Sequence, residues 1–416
     1  MVKTSESAAR VYWTAFTGLF FDYYDLYLFI YLERVLATYF ALTPPQSSWL
    51  QFAGLAGVGV GALVFGYLAD RFGRGRLMLA VFVVYAAGIL GLSRAWNYES
   101  LLGFRLLSSL SLGAEWGISH TYLAERVDGP RRYRFAALLQ FSILGGLLAA
   151  MAARYALPLM GWRWLFAASI LPVAVLSAVR WRALAGGDSA VGAGLSSDSA
   201  GLSGRKAPPT ASEAGHCPGA WGQAPLPQAH LSQAISRNWR PFLLCFGLAS
   251  LTIASGTMNV FYAKELPQSP FYTVLFWGNV APGMLLGAWV VQRWGVRRAM
   301  GLYAAGLLML SVGAWVSGSS RASLVFALVL PLLNGIPYGL MGAYFNEAFA
   351  AFRTMLSGAA YNLGRILAGF APVLITALGL QQDGRYFLFS AGLGLGVLGL
   401  TSLMARGAGD RFGQGL

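Results

Sequence analysis

Five ionisable residues lie within long apolar stretches of the chain: Asp22, Asp25, Arg105, Glu115 and Arg365. Such residues are functional candidates, because hydrocarbon solvates charge poorly. A buried carboxyl group favours its protonated form, whereas a neighbouring arginine favours the carboxylate. A carboxyl group that alternately meets and leaves an arginine therefore binds and releases a proton. We predict that Asp22, Asp25 and Glu115 bind protons in this way.

Arg365 differs from the other four residues, because no acidic residue in the C-terminal half of the sequence is predicted at its depth. A ligand carboxylate could satisfy its guanidinium group through a two-point hydrogen bond. The alternative is an ion pair with Asp22 or Glu115 in the other half of the chain. Asn362, one helical turn earlier, and Gln140 could bind the same ligand, or they could simply tie helices together.

Four further residues complete the predicted binding site. Arg105 is a second cation for an anionic ligand, held mainly by Asp25. Asn259 and Tyr338 are polar groups in apolar segments. Their assignment as ligand contacts is what the family resemblance described below implies, because the corresponding helices often line the cavity in that fold. Trp116 follows Glu115 directly and could form the floor of a cavity, with ordinary aromatic packing as the alternative.

The elements that must position these residues are apolar helices. Of the 416 residues, 56% are hydrophobic and only 11% are charged, and the mean hydropathy is +0.57. A soluble protein carries about a quarter charged residues, so the composition excludes a soluble enzyme. Only two cysteines occur, Cys217 and Cys245. We expect no disulfide, no metal site and no cofactor.

Twelve apolar segments are long enough to cross about 30 Å of hydrocarbon as helices. They lie near residues 10–40, 48–69, 77–95, 100–124, 134–157, 161–182, 239–263, 270–292, 299–318, 322–346, 354–378 and 385–405. The sequence therefore predicts an all-α membrane protein with twelve transmembrane helices.

The net charge of +14 arises from basic residues in short loops between these segments. This distribution excludes nucleic acid as a partner. With the N-terminus inside, the Lys and Arg residues concentrate on the cytoplasmic side, as the positive-inside rule requires. We predict a multi-pass protein of the cell membrane (inner or plasma membrane) with both termini in the cytoplasm. The polar start MVKTSESAAR leads into an apolar segment with no cleavage site behind it, so no signal peptide is expected.

The chain repeats itself on either side of a polar stretch. Residues 183–236 are rich in Gly, Ala, Ser and Pro, and we predict a disordered cytoplasmic linker there. It separates a bundle of six helices at 1–182 from a second at 237–416. The two halves align at one constant shift of 222 positions, which places Gly73 on Gly295. Parallel repeats of six helices are typical of transporters in which two bundles rock around a central site.

The segment GYLADRFGRGR, which ends the second predicted helix, resembles the loop 2–3 signature of the major facilitator superfamily. GWRWLF at 161–166 resembles the start of helix 6 in that superfamily. The resemblance implies two pseudo-symmetric six-helix bundles. It also implies that Asp70, Arg71 and Arg74 form a gate between the bundles. The second copy of the signature has Gln292 in place of the acid, which predicts a weaker contact there.

Three other segments resemble the proton-coupled metabolite symporters of this superfamily, in particular their sialate and monocarboxylate branch. They read FFDYYDLYLF, FRLLSSLSLGAEWG and YNLGRILAGFAP. The resemblance implies transport of a metabolite together with protons. It does not fix the substrate, because the aromatic-acid and phosphate symporters share parts of these segments. With the buried arginines, we predict uptake of a small organic anion such as a monocarboxylate or sugar acid, by a carrier that we expect to be a monomer in the lipid bilayer. Helices 1 and 4 are neighbours in the resembled fold, which favours an Asp25–Arg105 ion pair. A fixed structural network between these helices is the alternative.

Two other functions stay open at this point. A carrier of this kind could export a metabolite or drug by proton antiport, although helix 5 lacks the Pro of drug antiporters. The chain could also be a sensor or assembly protein that keeps the fold without pumping. The costly buried charges favour transport, because a protein that does not transport has little use for them.

Overall fold

The computed structural model describes residues 8–127, 131–172, 174–175, 177–178, 231–262, 278–318, 320–349, 351–380 and 385–404. Within these ranges the regular elements are helices. The predicted linker 183–236 lies outside the described residues except at its end, where residues 231–236 already belong to a helix.

Six helices precede the linker. Four of them are continuous: α1 is Ala8–Tyr39, α2 is Pro44–Phe72, α3 is Arg74–Ser93 and α4 is Tyr98–Arg126. Helix α5 is irregular. It begins at Arg131–Leu139, tightens to a 3₁₀ turn at Gln140–Leu144, returns to α-helix at Gly145–Met151 and widens to a π-turn at Ala152–Ala156. Helix α6 is Leu157–Ala168 and is kinked at Gly161.

Six helices follow the linker, in the same order. They are α7 (Leu231–Tyr262), α8 (Val280–Trp294), α9 (Val296–Ser317), α10 (Ser320–Ala348), α11 (Arg353–Ala368, continued by Ala371–Ala377) and α12 (Tyr386–Leu403). The predicted segment 270–292 lies partly outside the described residues, and its described part belongs to α8. Most other boundaries agree with the apolar segments of the sequence to within a few residues. Helix α7 begins at Leu231, eight residues before the predicted start at 239. The first continuous stretch of α6 ends at Ala168, within the predicted segment 161–182.

Helix starts follow local sequence signals. Thr43 accepts a hydrogen bond from the backbone N–H of Gln46, whose side chain accepts one from the backbone N–H of Thr43, and Pro44 occupies the first turn of α2. Asn97 caps α4 in the same way through Ser100. These caps satisfy backbone donors that the first helical turn leaves free.

The outer surface of the described helices is apolar. Large side chains such as Leu159, Met309 and Val83 are 87%, 75% and 71% exposed. Six of the helices are long and apolar enough to cross a membrane by length and composition. A soluble protein rarely exposes so much contiguous apolar surface, so this surface suits contact with lipid.

The 222-residue repeat is visible in the backbone. Gly73 is the single residue between α2 and α3, with φ 94°, and its repeat mate Gly295 joins α8 to α9 with φ 85°. Only glycine adopts this conformation without strain. The third helix of each half, α3 or α9, therefore begins after the same tight turn.

Helix packing repeats at the same shift. In each half, glycines let two helices approach until a backbone carbonyl fills the place of the missing Cβ. The matched contacts are Gly61 with Leu110, Gly283 with Leu332, Gly113 with Val58, and Gly335 with Val280. Close approach at small residues is typical of helices packed in a membrane. Thus α2–α4 and α8–α10 form equivalent cores of two pseudo-symmetric bundles.

Candidate functional site

A small cavity lies where the two bundles meet. Helices α1, α2, α4 and α11 contribute its walls, and its volume is about 20 Å³, room for about one water molecule. The lining residues are Leu19, Asp22, Tyr23, Leu26, Val58, Leu112, Trp116, Asn362 and Arg365. Four of the residues singled out in the sequence therefore share one cavity: Asp22, Trp116, Asn362 and Arg365.

Arg365 is half-buried on the C-terminal wall of this cavity. Its charge interacts with four tyrosines, Tyr23, Tyr27, Tyr338 and Tyr361. The ion pairs of the described chain are Arg74–Asp70, Arg74–Glu125 and Arg132–Glu347, and none of them includes Arg365. The guanidinium group therefore lies among phenol groups, in the cavity that Asp22 also lines.

Trp116 stacks on Tyr361 across the bundle interface. The ring centroids are 3.8 Å apart and the ring planes differ by 1°. Both side chains are buried, with 3% and 4% of their surface exposed. The indole Nε1–H of Trp116 is buried without a hydrogen-bond acceptor in the described part of the chain. Trp116 thus offers the cavity a free donor beside an aromatic face.

The two amides predicted in the site hold the bundles together in this conformation. Asn362 of α11 donates from Nδ2 to the backbone carbonyl oxygens of Gly113 in α4, at 3.1 Å, and of Gly358, at 3.0 Å. Gln140 of α5 donates from Nε2 to the carbonyl oxygen of Tyr338 in α10, at 3.1 Å. Tyr338 itself lies against Gly256 of α7 through its hydroxyl group. Both amides therefore form interbundle contacts, and Asn362 also lines the cavity.

Asp25 and Arg105 lie inside the N-terminal bundle. Their charges attract one another, but the Nε and Nη1 atoms of Arg105 have no hydrogen-bond partner in the described chain, and the neighbour of the Asp25 carboxyl group is the hydroxyl group of Tyr85. The Arg105 guanidinium carbon instead lies 3.7 Å from the ring centroid of Phe29, a cation–π contact. The predicted pairing thus takes the form of a charge interaction without a direct ion pair.

The other predicted residues are placed as follows. Glu115 is 1% exposed and accepts a hydrogen bond from the hydroxyl group of Ser119 at 2.8 Å. The backbone of Asn259 belongs to α7, but its side chain lies outside the described residues.

Asp70 joins the bundles at the end of the molecule that holds the α2–α3 turn. Its carboxylate accepts hydrogen bonds from the backbone N–H groups of Thr354, at 3.2 Å, and Met355, at 2.9 Å, in the first turn of α11. A helix N-terminus presents free N–H groups and favours an anion. Arg74 pairs with Asp70 at 3.0 Å and with Glu125 at 2.8 Å. Arg71 contacts the hydroxyl group of Tyr67 in its own helix.

More contacts close the same end. Arg132 pairs with Glu347 at 3.1 Å, and Tyr133 donates a hydrogen bond to Glu347 at 2.6 Å. Thr121 donates to Asn346 at 2.6 Å. Each of these bonds runs from the N-terminal to the C-terminal bundle. The central cavity is therefore shut off at this end.

Sequence reasoning did not single out Tyr23, Tyr27 or Tyr361. A signal was available, because Tyr361 precedes Arg365 by four residues and Tyr23 precedes Tyr27 by four, so each pair shares a helix face. Tyrosine is common in apolar helices, however, and only the assembled bundles show that these rings meet at one arginine.

Two pseudo-symmetric helix bundles around a closed central cavity are the architecture of transporters whose bundles rock around a central site. Residues 15–372 match the Major Facilitator Superfamily. The chain belongs to this superfamily; it is a secondary transporter, not an enzyme. It is similar to the niacin transporter NiaP of Acinetobacter baylyi, with 25% identity over 91% of this chain and 88% of the relative. It is also similar to the cis,cis-muconate transport protein of that organism, with 27% identity over 92% and 89%.

Solved structures share the fold. The transporter FucP in its outward conformation superposes with a TM-score of 0.70 and 14% identity over 96% of this chain and 99% of that chain. The proton:xylose symporter XylE superposes with a TM-score of 0.66 and 14% identity over 95% of each chain. The predicted all-α architecture of twelve helices in two bundles is confirmed.

Proposed function

We propose that this transporter carries a small organic anion into the cell together with protons, and that Arg365 binds the carboxylate of that anion. The observation that carries the proposal is the position of Arg365. It lies on the wall of the interbundle cavity, among four tyrosines and outside any ion pair of the described chain. A guanidinium group in apolar surroundings is stabilised strongly by a carboxylate that binds both of its N–H edges.

The names of the relatives support an anionic substrate. Two relatives that match over most of both chains are transporters of niacin and of cis,cis-muconate, and both compounds are carboxylates at neutral pH. Support for proton coupling comes from the structural neighbour described as a proton:xylose symporter.

The acids of the N-terminal bundle supply the proton sites in this proposal. Asp22 shares the cavity with Arg365. Asp25 and Arg105 form a buried charge couple in which neither group satisfies the other's hydrogen bonds, so a small movement of α1 against α4 changes the affinity of Asp25 for a proton. Glu115 lies in the same helix as Trp116 and is equally buried.

The remaining substrate contacts come from residues around Arg365. Asn362 and Gln140 lose their interbundle acceptors when the bundles separate, and their amides then become available to the substrate. Arg105, Asn259, Tyr338 and Trp116 complete the proposed binding set. The carrier works as a monomer in the cell membrane. Its N-terminal bundle comprises residues 1–182, and its C-terminal bundle begins with α7 at Leu231 rather than at the predicted 237. The linker predicted at 183–236 therefore joins the bundles with a shorter stretch, and both termini are cytoplasmic.

The test is uptake into proteoliposomes under an imposed pH gradient. Nicotinate and cis,cis-muconate are the anionic probes, and nicotinamide and xylose are the neutral ones. An acidic outside should drive accumulation of a carboxylate, and a protonophore should abolish it. Uptake of the neutral probes alone would contradict the anion assignment, and accumulation insensitive to the protonophore would contradict proton coupling.

Variants at Arg365 locate the anion site. Removing one partner of a buried charge pair costs about 2–5 kcal/mol, so Arg365→Ala should weaken carboxylate binding more than about tenfold. Arg365→Lys should restore only part of the affinity, because an ammonium group lacks the two-point fork. Arg385→Ala, an exposed arginine in the same half, is the matched control. Unchanged binding by Arg365→Ala would move the anion site to Arg105.

A further inference from the structure

The stack of Trp116 on Tyr361 joins two aromatic faces that belong to opposite bundles. Trp116 is part of α4 and Tyr361 is part of α11. A centroid distance of 3.8 Å is the contact distance of two flat rings, so nothing fits between them in this conformation. Because alternating access moves the bundles apart on one side at a time, this pair must separate when the cavity opens.

We infer that the substrate is a flat, conjugated carboxylate whose ring is covered by Trp116 and Tyr361, with its carboxylate on Arg365. This inference rests on the proposed function and adds a shape to the anion. Arg365 follows Tyr361 by four residues, which places the guanidinium group and the ring on the same face of α11. A planar acid can therefore meet both groups at once.

Opening of the cavity removes the ring–ring contact, and the bound ligand replaces it. Separating the pair exposes two flat apolar faces, and stacking is lost in addition to buried area. A conjugated ring restores a face-to-face contact on each side. A saturated ring of the same size is puckered, so it cannot lie flat on either face.

The polar groups around the stack fit the same ligand. The buried Nε1–H of Trp116 is a donor that lacks an acceptor among the described residues. Tyr23 and Tyr27 of α1 surround the Arg365 charge from the opposite bundle. A carboxylate that pairs with Arg365 therefore has tyrosine hydroxyl groups beside it as further hydrogen-bond donors.

The experiment measures equilibrium binding to the purified full-length protein in nanodiscs. Three probes separate ring shape from charge. Benzoate is flat and anionic, cyclohexanecarboxylate is puckered and anionic, and benzamide is flat and neutral. We expect benzoate to bind about 3- to 10-fold more tightly than cyclohexanecarboxylate, the range expected from one aromatic stack. Benzamide should bind much more weakly, because it cannot pair with Arg365.

Variants of Tyr361 test the location. Tyr361→Leu should bind benzoate and cyclohexanecarboxylate about equally, because the ring is gone. Tyr361→Phe keeps the ring and should keep the preference for benzoate. Tyr155→Leu is the matched control, because Tyr155 is 64% exposed on the outer surface of α5. The inference would be overturned if Tyr361→Leu is monodisperse on size exclusion, binds both probes and keeps the same preference for benzoate as the parent protein.

The outcomes also distinguish the inference from the proposed function. Equal binding of benzoate and cyclohexanecarboxylate, both tighter than benzamide, would overturn the flat-ring inference and leave the anion proposal standing. Equal binding of benzoate and benzamide, both tighter than cyclohexanecarboxylate, would overturn the anion proposal and leave the ring contact. Binding of none of the three probes would overturn both.

Discussion

Asp70→Asn should open the bundles at the α2–α3 end while leaving the cavity intact. The carboxylate now accepts two backbone N–H bonds from the first turn of α11, at 2.9 and 3.2 Å, and its side chain is fully buried. An asparagine of the same size has one acceptor oxygen and no charge. Each carboxylate oxygen of Asp70 accepts one of the two interbundle bonds, so an asparagine in the same position keeps one of them.

The magnitude follows from the bonds that exist only when this end is closed. The ion pair of Asp70 with Arg74 lies within the N-terminal bundle, so it is present in both conformations. A hydrogen bond to a charged group contributes about 1.5–3 kcal/mol. Loss of one such bond, about 2 kcal/mol, should raise the population of the open conformation about 30-fold.

The assay is maleimide labelling of a buried cysteine in α11. Ser357 is fully buried near the start of this helix, and Ser357→Cys in a background of Cys217→Ser and Cys245→Ser gives one reactive position. The labelling rate reports the open population while that population is small. We expect a rate about 30-fold higher in Asp70→Asn. Arg76→Gln, a change at an exposed charge in the first turn of α3, should stay within about twofold of the parent.

An unchanged labelling rate in Asp70→Asn would refute this reasoning. It would mean that the bonds to Thr354 and Met355 do not hold the bundles together, and the contacts of Glu347 would become the main closure of this end.

Three shorter predictions follow from the same structure. Asp22→Asn and Glu115→Gln should abolish accumulation of substrate against a gradient in proteoliposomes but preserve counterflow, since exchange needs no net proton movement; normal accumulation by both variants would remove these acids as coupling sites. Gly61→Val should yield no monodisperse protein on size exclusion, because its side chain would overlap the backbone carbonyl of Leu110, whereas Gly301→Val has open space around it and should fold. Glu347→Gln should slow turnover less than about fivefold. Its ion pair with Arg132 is partly exposed and contributes about 1 kcal/mol or less. A larger loss of turnover in transport assays would show that this contact is an essential gate.

The fold could be predicted from local sequence patterns. Apolar runs define the helices, and the repeated turn at Gly73 and Gly295 identifies the two halves. Both signals depend on residues close together in sequence, so neither needs knowledge of the packing. The charged positions could be found for the same reason, because a charge within an apolar run is conspicuous.

The pairing of side chains could be predicted much less well. Helices α1 and α4 do pack together, but the Arg105 side chain lies over Phe29 rather than forming a direct ion pair with Asp25. The choice between these contacts depends on rotamers and on local packing, which a helical pattern does not contain. The Trp116–Tyr361 stack joins distant parts of the chain and becomes visible only when the bundles are assembled.

The matched glycine contacts fix the distance between two helices in each bundle, and spectroscopy can use that distance as a reference. Where the backbones of α2 and α4 touch at Gly61 and Gly113, and those of α8 and α10 touch at Gly283 and Gly335, the helices have no space in which to slide. Two spin labels on the outer ends of α2 and α4 should therefore report one constant distance in every step of the transport cycle. A third label in the other half then measures bundle motion against a reference within the same molecule.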